Sequence, residues 1–259
     1  MAFDKDYIIK NKDEALKNIE NYLNKCILSD TKHQKKANLI SFWLKDYINY
    51  LSSEEKFNSA SLKHYNRGDV IKANLGFNVG NEEGGLHYCI VLDKINAKSY
   101  STLTVVPLSS LKPKAKIRDT QVYLGHELFD KLHTKYVSLR DRSLDRAIEV
   151  QKKLEDYEHN NVPFRATPED FKAMQDANLC FKVGTEIVQM KTGTIALVNQ
   201  ITTISKQRIY DPKNDLGILS DVRISDKYLD LIDKKIQKLF LKNWIFFLTT
   251  SIIYIIMYL

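Results

Sequence analysis

The chain has 259 residues, of which 44% are hydrophobic and 27% are charged, with nine glycines and five prolines. This composition excludes a disordered, collagen-like or low-complexity chain and is sufficient for one or two domains with a sizeable core. Lysine and arginine number 39 and aspartate and glutamate 32, which gives a net charge of +7. The excess permits a polyanionic partner, either nucleic acid (RNA or DNA) or an anionic membrane surface, but does not require one.

The three cysteines, Cys26, Cys89 and Cys180, are widely spaced and form no CxxC pair. This argues against a disulfide framework or a zinc site and favours a reducing cytosol. The first ten residues are too polar for a secretory signal peptide. We therefore expect a cytosolic protein.

Two amphipathic helices are predicted near the N-terminus. Apolar residues recur every three to four positions over 13–28 and again over 36–51. Together they predict a helical hairpin, whose expected role is packing or contact with a partner. The apolar positions are Leu16, Ile19, Leu23 and Ile27 in the first helix and Ile40, Trp43, Leu44, Tyr47, Ile48 and Leu51 in the second.

Short β-prone segments separated by glycine and asparagine turns dominate the chain from residue 65. Some alternate apolar and polar side chains, and others are rich in β-branched residues, as is typical of strands. They indicate a small barrel or sheet. The predicted strands are 69–76, 87–93, 101–110, 181–190 and 194–209.

A largely helical insert at about 113–182 divides these strands. Its charged stretch 138–160 predicts a helix with a narrow apolar face, and Thr167 before Pro168 predicts the capped start of a short helix. Such an excursion inside a compact β domain is either functional, for example a lid, or a decoration. The residues of the apolar face are Leu144, Ile148 and Leu154.

A last amphipathic helix is predicted at 225–240, with Ser225 as N-cap. It leads to an uncharged segment, Trp244–Leu259, preceded by lysines. Sixteen helical residues span ~24 Å, less than the ~30 Å hydrocarbon core of a bilayer. The segment is interpreted as a short C-terminal anchor with the main domain on the cytoplasmic side, and the alternatives are a buried last helix, a buried strand or a dimer contact. The core-facing positions of the last helix are Leu229, Ile232, Ile236 and Leu239.

Candidate chemistry is concentrated around a glycine-rich loop, GFNVGNEEGG (76–85), between two predicted strands. His87 follows this loop, and Ser109 ends the next strand. An imidazole exchanges protons near neutral pH, and a hydroxyl hydrogen-bonds an anion such as phosphate. The plainer interpretation is a surface histidine and an ordinary turn serine. The sequence contains no P-loop, no GxSxG motif and no HExxH motif.

Three segments in order resemble the PemK/MazF family of toxins from bacterial type II toxin–antitoxin systems. RGDVIKANLGFNVGNEEGGLHYCIVLD (67–93) is similar to the first strand, glycine-rich loop and second strand of that family. LTVVPLSS (103–110) resembles the next strand, and ALVNQITTISKQRI (196–209) resembles the strand before the terminal helix. The N-terminal helices, the insert and the hydrophobic tail lie outside the small family core.

This resemblance implies an α+β fold built on a small SH3-like antiparallel β-barrel. The expected domains are a helical hairpin at 1–60, a barrel at 61–241 interrupted by the insert, and a tail at 242–259. The resemblance also implies a homodimeric endoribonuclease of the bacterial cytoplasm that uses no metal or other cofactor. It would cut single-stranded RNA by attack of the 2′-OH on the scissile phosphate, as an mRNA interferase, and an antitoxin would hold it inactive.

The resemblance also assigns the catalytic positions. The family's serine or threonine corresponds to Ser109, and its arginine corresponds to His87, with Tyr88 in place of the following proline. A permanently charged arginine mainly donates hydrogen bonds to the phosphate, whereas a histidine can also transfer a proton. The candidate RNA-binding residues are Arg67, Lys72, Asn81, Glu82, Gly84, Gly85, Gln200, Lys206 and Arg208.

Three alternatives remain open at this point. Gln200 either contacts a base or braces the barrel. The substitution at His87 is also compatible with a non-catalytic RNA- or protein-binding module on the same barrel. In the third alternative, a membrane-tethered interaction protein, the tail matters more than the barrel.

Overall fold

The computed structural model describes residues 4–160, 163, 166–191 and 193–242. Within these ranges it has five α-helices and a seven-stranded antiparallel sheet, so the predicted α+β class with helical additions is confirmed. The chain divides into two compact units. One comprises the described residues up to Phe57 together with Gly76–Gly80, and the other comprises Asn58–Leu75 and the described residues from Asn81 onward.

The N-terminal unit is the predicted helical hairpin. Helix α1 covers Lys5–Ile27 and helix α2 covers Thr31–Ser53. Asp4 and Asp30 cap the two helices by accepting backbone N–H groups with their carboxylates, which satisfies donors that have no partner within the helix. The sequence identified both helices but placed their starts several residues too late.

Few side chains of this hairpin are buried. Cys26 and Ala37 are its only described residues classed as buried. Several predicted core positions are largely exposed, among them Leu16 (58%) and Ile48 (57%). The amphipathic pattern therefore predicted the helices correctly, but it did not predict a covered apolar face.

The second unit is organised by its longest strand. Strand β3 pairs antiparallel with β2, with β5 and with β6, so different parts of one nine-residue strand belong to different ladders. The order across the sheet is β4-β5-β3-β2-β1-β7, with β6 also on β3. The strands are β1 Val70–Asn74, β2 Leu86–Val91, β3 Thr102–Ser110, β4 Gln121–Gly125, β5 Thr194–Leu197, β6 Thr202–Ser205 and β7 Ile209–Asp211.

The predicted strand at 194–209 is therefore three strands. Short 3-10 turns at Val198–Gln200 and Lys206–Arg208 separate β5, β6 and β7. The core of the second unit lies between the sheet, the two helices of the insert and the last helix of the described chain. Its fully buried members include Val70, Ile90, Val106, Leu124, Leu132, Val183, Ala196, Ile224 and Ile232.

The insert consists of two long helices, α3 Glu127–Asn160 and α4 Pro168–Gln189, that pack against each other. The predicted strand at 181–190 is wrong, because those residues, except for Met190, form the last turns of α4. Packing overrides their β-branched composition: Val183 is fully buried in the core cluster. Strand β4 also lies within the range predicted as insert, and it pairs with β5.

The apolar face predicted for α3 is also wrong. Leu144 and Ile148 are about half exposed, at 49% and 48%. The helix begins at Glu127, eleven residues before the predicted stretch, and its earlier turns supply most of the contact with the core. The buried residues of α3 are Leu128, Leu132, Leu139, Ser143 and Val150.

Both predicted N-cap residues, Thr167 and Ser225, lie directly before a helix. Thr167 and Asp170 form a capping box at the start of α4, as Thr167 before Pro168 predicted, although the helix has 22 residues and is not short. Helix α5 covers Asp226–Phe240 behind Ser225, which occupies the N-cap position. The Ser225 hydroxyl makes no capping bond and instead bonds Glu127 at 3.1 Å.

The predicted tail, Trp244–Leu259, lies outside the described residues. Among the residues that are described, no helix is long and apolar enough to cross a membrane.

Candidate active site

Strands β2 and β3 bring the two predicted catalytic residues together. Their ladder pairs Cys89 with Pro107, and the same antiparallel register continued by two residues places His87 opposite Ser109. Both side chains line one cavity of about 480 Å³. Two residues that are 22 positions apart in the sequence therefore line one cavity, and their catalytic role stays a prediction.

The cavity combines basic groups with apolar walls. Strand β1 contributes Lys72, the segment after β3 contributes Lys112, and the end of the insert contributes Glu186 and Lys191. Leu86, Leu108, Leu128 and Met190 form its apolar walls. A concave site that combines cations, a hydroxyl and an imidazole can hold a phosphate group.

Both ring nitrogens of His87 have oxygen partners. Nδ1 lies 3.1 Å from the main-chain oxygen of Leu108, and Nε2 lies 3.1 Å from Oε1 of Glu83. A carbonyl oxygen only accepts, so Nδ1 donates to Leu108. Only the doubly protonated ring donates to both partners, and such a ring can give up a proton to a leaving group.

A second cluster in the cavity joins the barrel to the insert. Lys72 Nζ donates to Oε1 of Glu186 at 2.6 Å, and the hydroxyl of Tyr88 donates to the same oxygen. Lys72 and Glu186 are mostly buried, with side chains 21% and 14% exposed. Burial, and then the hydrogen bond to Glu186, raise the pKa of Tyr88 far above its ordinary value, so the phenol keeps its proton.

Glu186 was not among the predicted site residues. It lies in the segment interpreted as a strand, where its side chain had no assigned neighbour. The signal for the helix was nevertheless present: a threonine cap followed by small and apolar residues at helical spacing, Ala173, Ala177, Cys180, Val183 and Ile187. A helix extended to that point brings Glu186 near the barrel.

Comparison with known proteins identifies the segment that carries this site. Residues 66–162 match the family model described as PemK-like, MazF-like toxin of type II toxin-antitoxin system. Through this segment the chain is similar to the PemK/MazF toxin family. The match implies, at the level of the family, a toxin-like endoribonuclease with an RNA substrate and an antitoxin partner. No curated protein matches the chain.

The PemK/MazF segment contains His87 and Ser109 but ends before α4. Glu186 and Lys191 of the cavity therefore come from a part of this protein that the family match does not cover. The Ser109 hydroxyl has no hydrogen bond to any residue that the structure describes, and β3 fixes its backbone through the pair with Ile195.

Like Lys72, three further predicted RNA-binding cations are engaged within the fold. Arg67 donates to the main chain of Leu92 and pairs with Asp233 of α5. Arg208 Nε donates to the oxygen of Asn74 at 2.7 Å. Neither Arg67 nor Arg208 lines the cavity, and their contact with RNA stays a prediction.

Lys206 is even more enclosed. It is 2% exposed, and its ammonium group donates to the main-chain oxygens of Ala97 and Lys98. Burial lowers its pKa, which is the usual effect of removing a cation from water. Lys206 therefore anchors the loop that contains Ala97 and Lys98. We do not include Lys206 in the proposed RNA interface.

Gln200 bridges two points of the glycine-rich loop. Its side-chain oxygen accepts the N–H of Glu83 at 3.2 Å, and its side-chain nitrogen donates to the oxygen of Asn81 at 3.3 Å. Both ends of the amide are thus used on the segment that carries the partner of His87. A base contact of Gln200 stays a prediction.

The remaining predicted loop residues lie close to the start of β2. Gly85 has φ +90°, a left-handed conformation that favours glycine, and its oxygen accepts the N–H of Leu75 at 2.7 Å. Glu82 is exposed and Gly84 is half-buried. These positions are compatible with an RNA-facing loop, and that role stays a prediction.

Proposed function

We propose that this protein is a toxin-like endoribonuclease that cleaves single-stranded RNA without a metal ion. In this reaction the 2′-OH attacks the adjacent phosphate and leaves a 2′,3′-cyclic phosphate. One observation carries the proposal: His87 and Ser109, the two positions that the family resemblance assigns to the scissile phosphate, line the same basic cavity. An antitoxin would control the activity, and the active form would be a homodimer.

The cavity residues divide the work of such a reaction. The Ser109 hydroxyl donates a hydrogen bond to a non-bridging oxygen of the phosphate, where negative charge grows in the transition state. The protonated ring of His87 gives its proton to the departing 5′-oxygen. Lys112 and Lys191, at the edge of the cavity, attract the neighbouring phosphates of the strand.

The test is cleavage of single-stranded RNA by the antitoxin-free protein in EDTA. We expect fragments that end in 2′,3′-cyclic phosphate and begin with a 5′-hydroxyl. Ser109→Ala should lower the rate by about 10²–10³-fold, the usual cost of losing one donor to a developing oxyanion. Ser138→Ala, at an exposed position on α3, is the matched control and should cut at the wild-type rate.

A non-catalytic RNA-binding module on the same barrel is the second candidate. It is favoured by the ion pairs in the site, since Glu83 is paired with His87 and Glu186 with Lys72. In that case the protein binds RNA and leaves it intact under all these conditions. Cleavage that is equal in wild type and Ser109→Ala would also contradict the catalytic proposal.

A further inference from the structure

Cleavage of RNA by its own 2′-OH needs two proton transfers. A base takes the proton of the attacking hydroxyl, and an acid protonates the leaving 5′-oxygen. The predicted site provides one such group, His87, whose contacts with Leu108 and Glu83 suit the protonated form and hence the acid. If the proposed ribonuclease function holds, the cavity must contain a separate base.

The groups that line the cavity leave one choice. Lys72, Lys112 and Lys191 end in ammonium groups, which donate hydrogen bonds and accept none. Tyr88 keeps its proton, because burial and Glu186 raise its pKa. Among the described lining residues, Glu186 is the only carboxylate.

The two carboxylate oxygens of Glu186 have different surroundings, and this arrangement suits a positioned base. Lys72 and Tyr88 both donate to Oε1, which fixes the carboxylate between the barrel and α4. Oε2 has no hydrogen-bond partner among the residues that the structure describes, on a side chain that lines the cavity and is 14% exposed. One oxygen is thus anchored, and the other is available to a ligand.

We propose that Glu186 is the general base of this ribonuclease and that the insert supplies it. Oε2 of Glu186 takes the proton of the 2′-OH as the 2′-oxygen forms its bond to phosphorus. The bond from phosphorus to the 5′-oxygen breaks, and His87 gives that oxygen a proton. The products are a 2′,3′-cyclic phosphate and a 5′-hydroxyl, and exchange with water restores the proton on His87 and removes that on Glu186.

Glu186→Gln tests this role with little change of structure, because the amide oxygen can still accept from Lys72 and Tyr88. We expect kcat to fall by about 10²–10⁴-fold, the usual contribution of a positioned proton-transfer group, with little change in KM. The acidic limb of the pH–rate profile should disappear as well. Formate should restore part of the activity of Glu186→Ala, since it supplies a carboxylate to the space left empty.

Glu169→Gln is the matched control: it removes the same charge from the exposed first turn of α4 and should behave as wild type. Cleavage at the wild-type rate by Glu186→Gln would overturn the proposed base and leave the ribonuclease intact. Faster cleavage would also overturn it and show that Glu186 competes with the phosphate for Lys72. If wild type cuts no RNA, the ribonuclease proposal fails, and the base fails with it.

Discussion

His87 stands where the resemblance to PemK/MazF toxins implies an arginine. An arginine at this position is a permanent cation, which can hold a phosphate but does not exchange its proton near neutral pH. Histidine offers both functions. The contact of Nδ1 with Leu108 fixes the ring and leaves Nε2 beside Glu83, and Nε2 is the nitrogen from which the proposed proton transfer starts.

His87→Arg separates these two functions. The variant keeps a cation beside Glu83, so we expect it to bind RNA about as well as wild type. Loss of proton transfer should lower the single-turnover cleavage rate by about 10²–10⁴-fold. Binding is measured with 2′-O-methyl RNA, which has no 2′-OH to attack. Undiminished cleavage by His87→Arg would mean that the charge of His87 matters and its proton does not.

At the residue scale, local motifs in the sequence were enough to bring His87 and Ser109 to one place in the fold. His87 and Ser109 each follow a recognisable strand, and the register of β2 and β3 brings them together. Lys72 was also predicted to face the substrate, and it lines the cavity. Glu186 could not be placed in the same way, because its position depends on how a 22-residue helix packs against the barrel.

For helix α4 too, the sequence predicted the feature that depends on neighbouring residues and missed the feature that depends on packing. Its start was predicted because capping is a local interaction among Thr167, Pro168 and Asp170. Its length was not, since its last turns contain β-branched residues, and the burial of Val183 in the core favours the helix there. The start of the helix also has a pH-sensitive group, because Asp170 accepts the N–H of Thr167 and pairs with Arg146 at 2.8 Å.

The stability that Asp170 contributes should depend on pH. The backbone hydrogen bond from Thr167, helped by Arg146, lowers the pKa of Asp170 below its ordinary value. A lowered pKa in the folded state means that this stability is complete above the unfolded pKa of about 3.9 and is lost as the pH falls through the folded value. The difference in melting temperature between wild type and Asp170→Asn should therefore be constant from pH 7 to about 5 and shrink below about 4.

Thermal melts of both proteins across this pH range measure the difference directly, and acid effects common to both cancel. Glu169→Asn at the neighbouring exposed position is the control. A difference that grows as the pH falls would contradict the assigned direction of the pKa shift.

At the scale of the whole molecule, charge and modular construction matter most. The net charge of +7 is compatible with RNA binding. Three lysines contribute positive charge to the cavity: Lys72 from β1, Lys112 from the segment after β3 and Lys191 from the end of the insert. The sequence predicted the order of helices, barrel strands and insert. It did not predict that insert and barrel share one core, because the contacts responsible join residues far apart in the chain.

Binding of RNA should weaken as salt increases. Each phosphate of a single strand that a cation neutralises contributes about 0.7 to the slope of log affinity against log salt concentration. Replacing both Lys112 and Lys191 by alanine should therefore lower the slope by about 1.4 if each contacts one phosphate. The measurement uses 2′-O-methyl RNA between 50 and 200 mM salt. Lys10 and Lys17 on α1, replaced together, are the control pair, and an equal decrease in that pair would contradict the assignment to the cavity.

The insert begins after β4 and ends before β5, and these two strands pair with each other. Gly125 of β4 and Thr194 of β5 are partners in the sheet, so the chain leaves the barrel and returns to it at neighbouring points, about 5 Å apart. A short turn could bridge that gap without changing the order of the strands, but Leu132 and Val183 of the insert would then no longer cover the shared core. The strands thus position the candidate site, while exposed and cavity-lining positions of the insert can gain or lose an acidic group without any change in strand pairing.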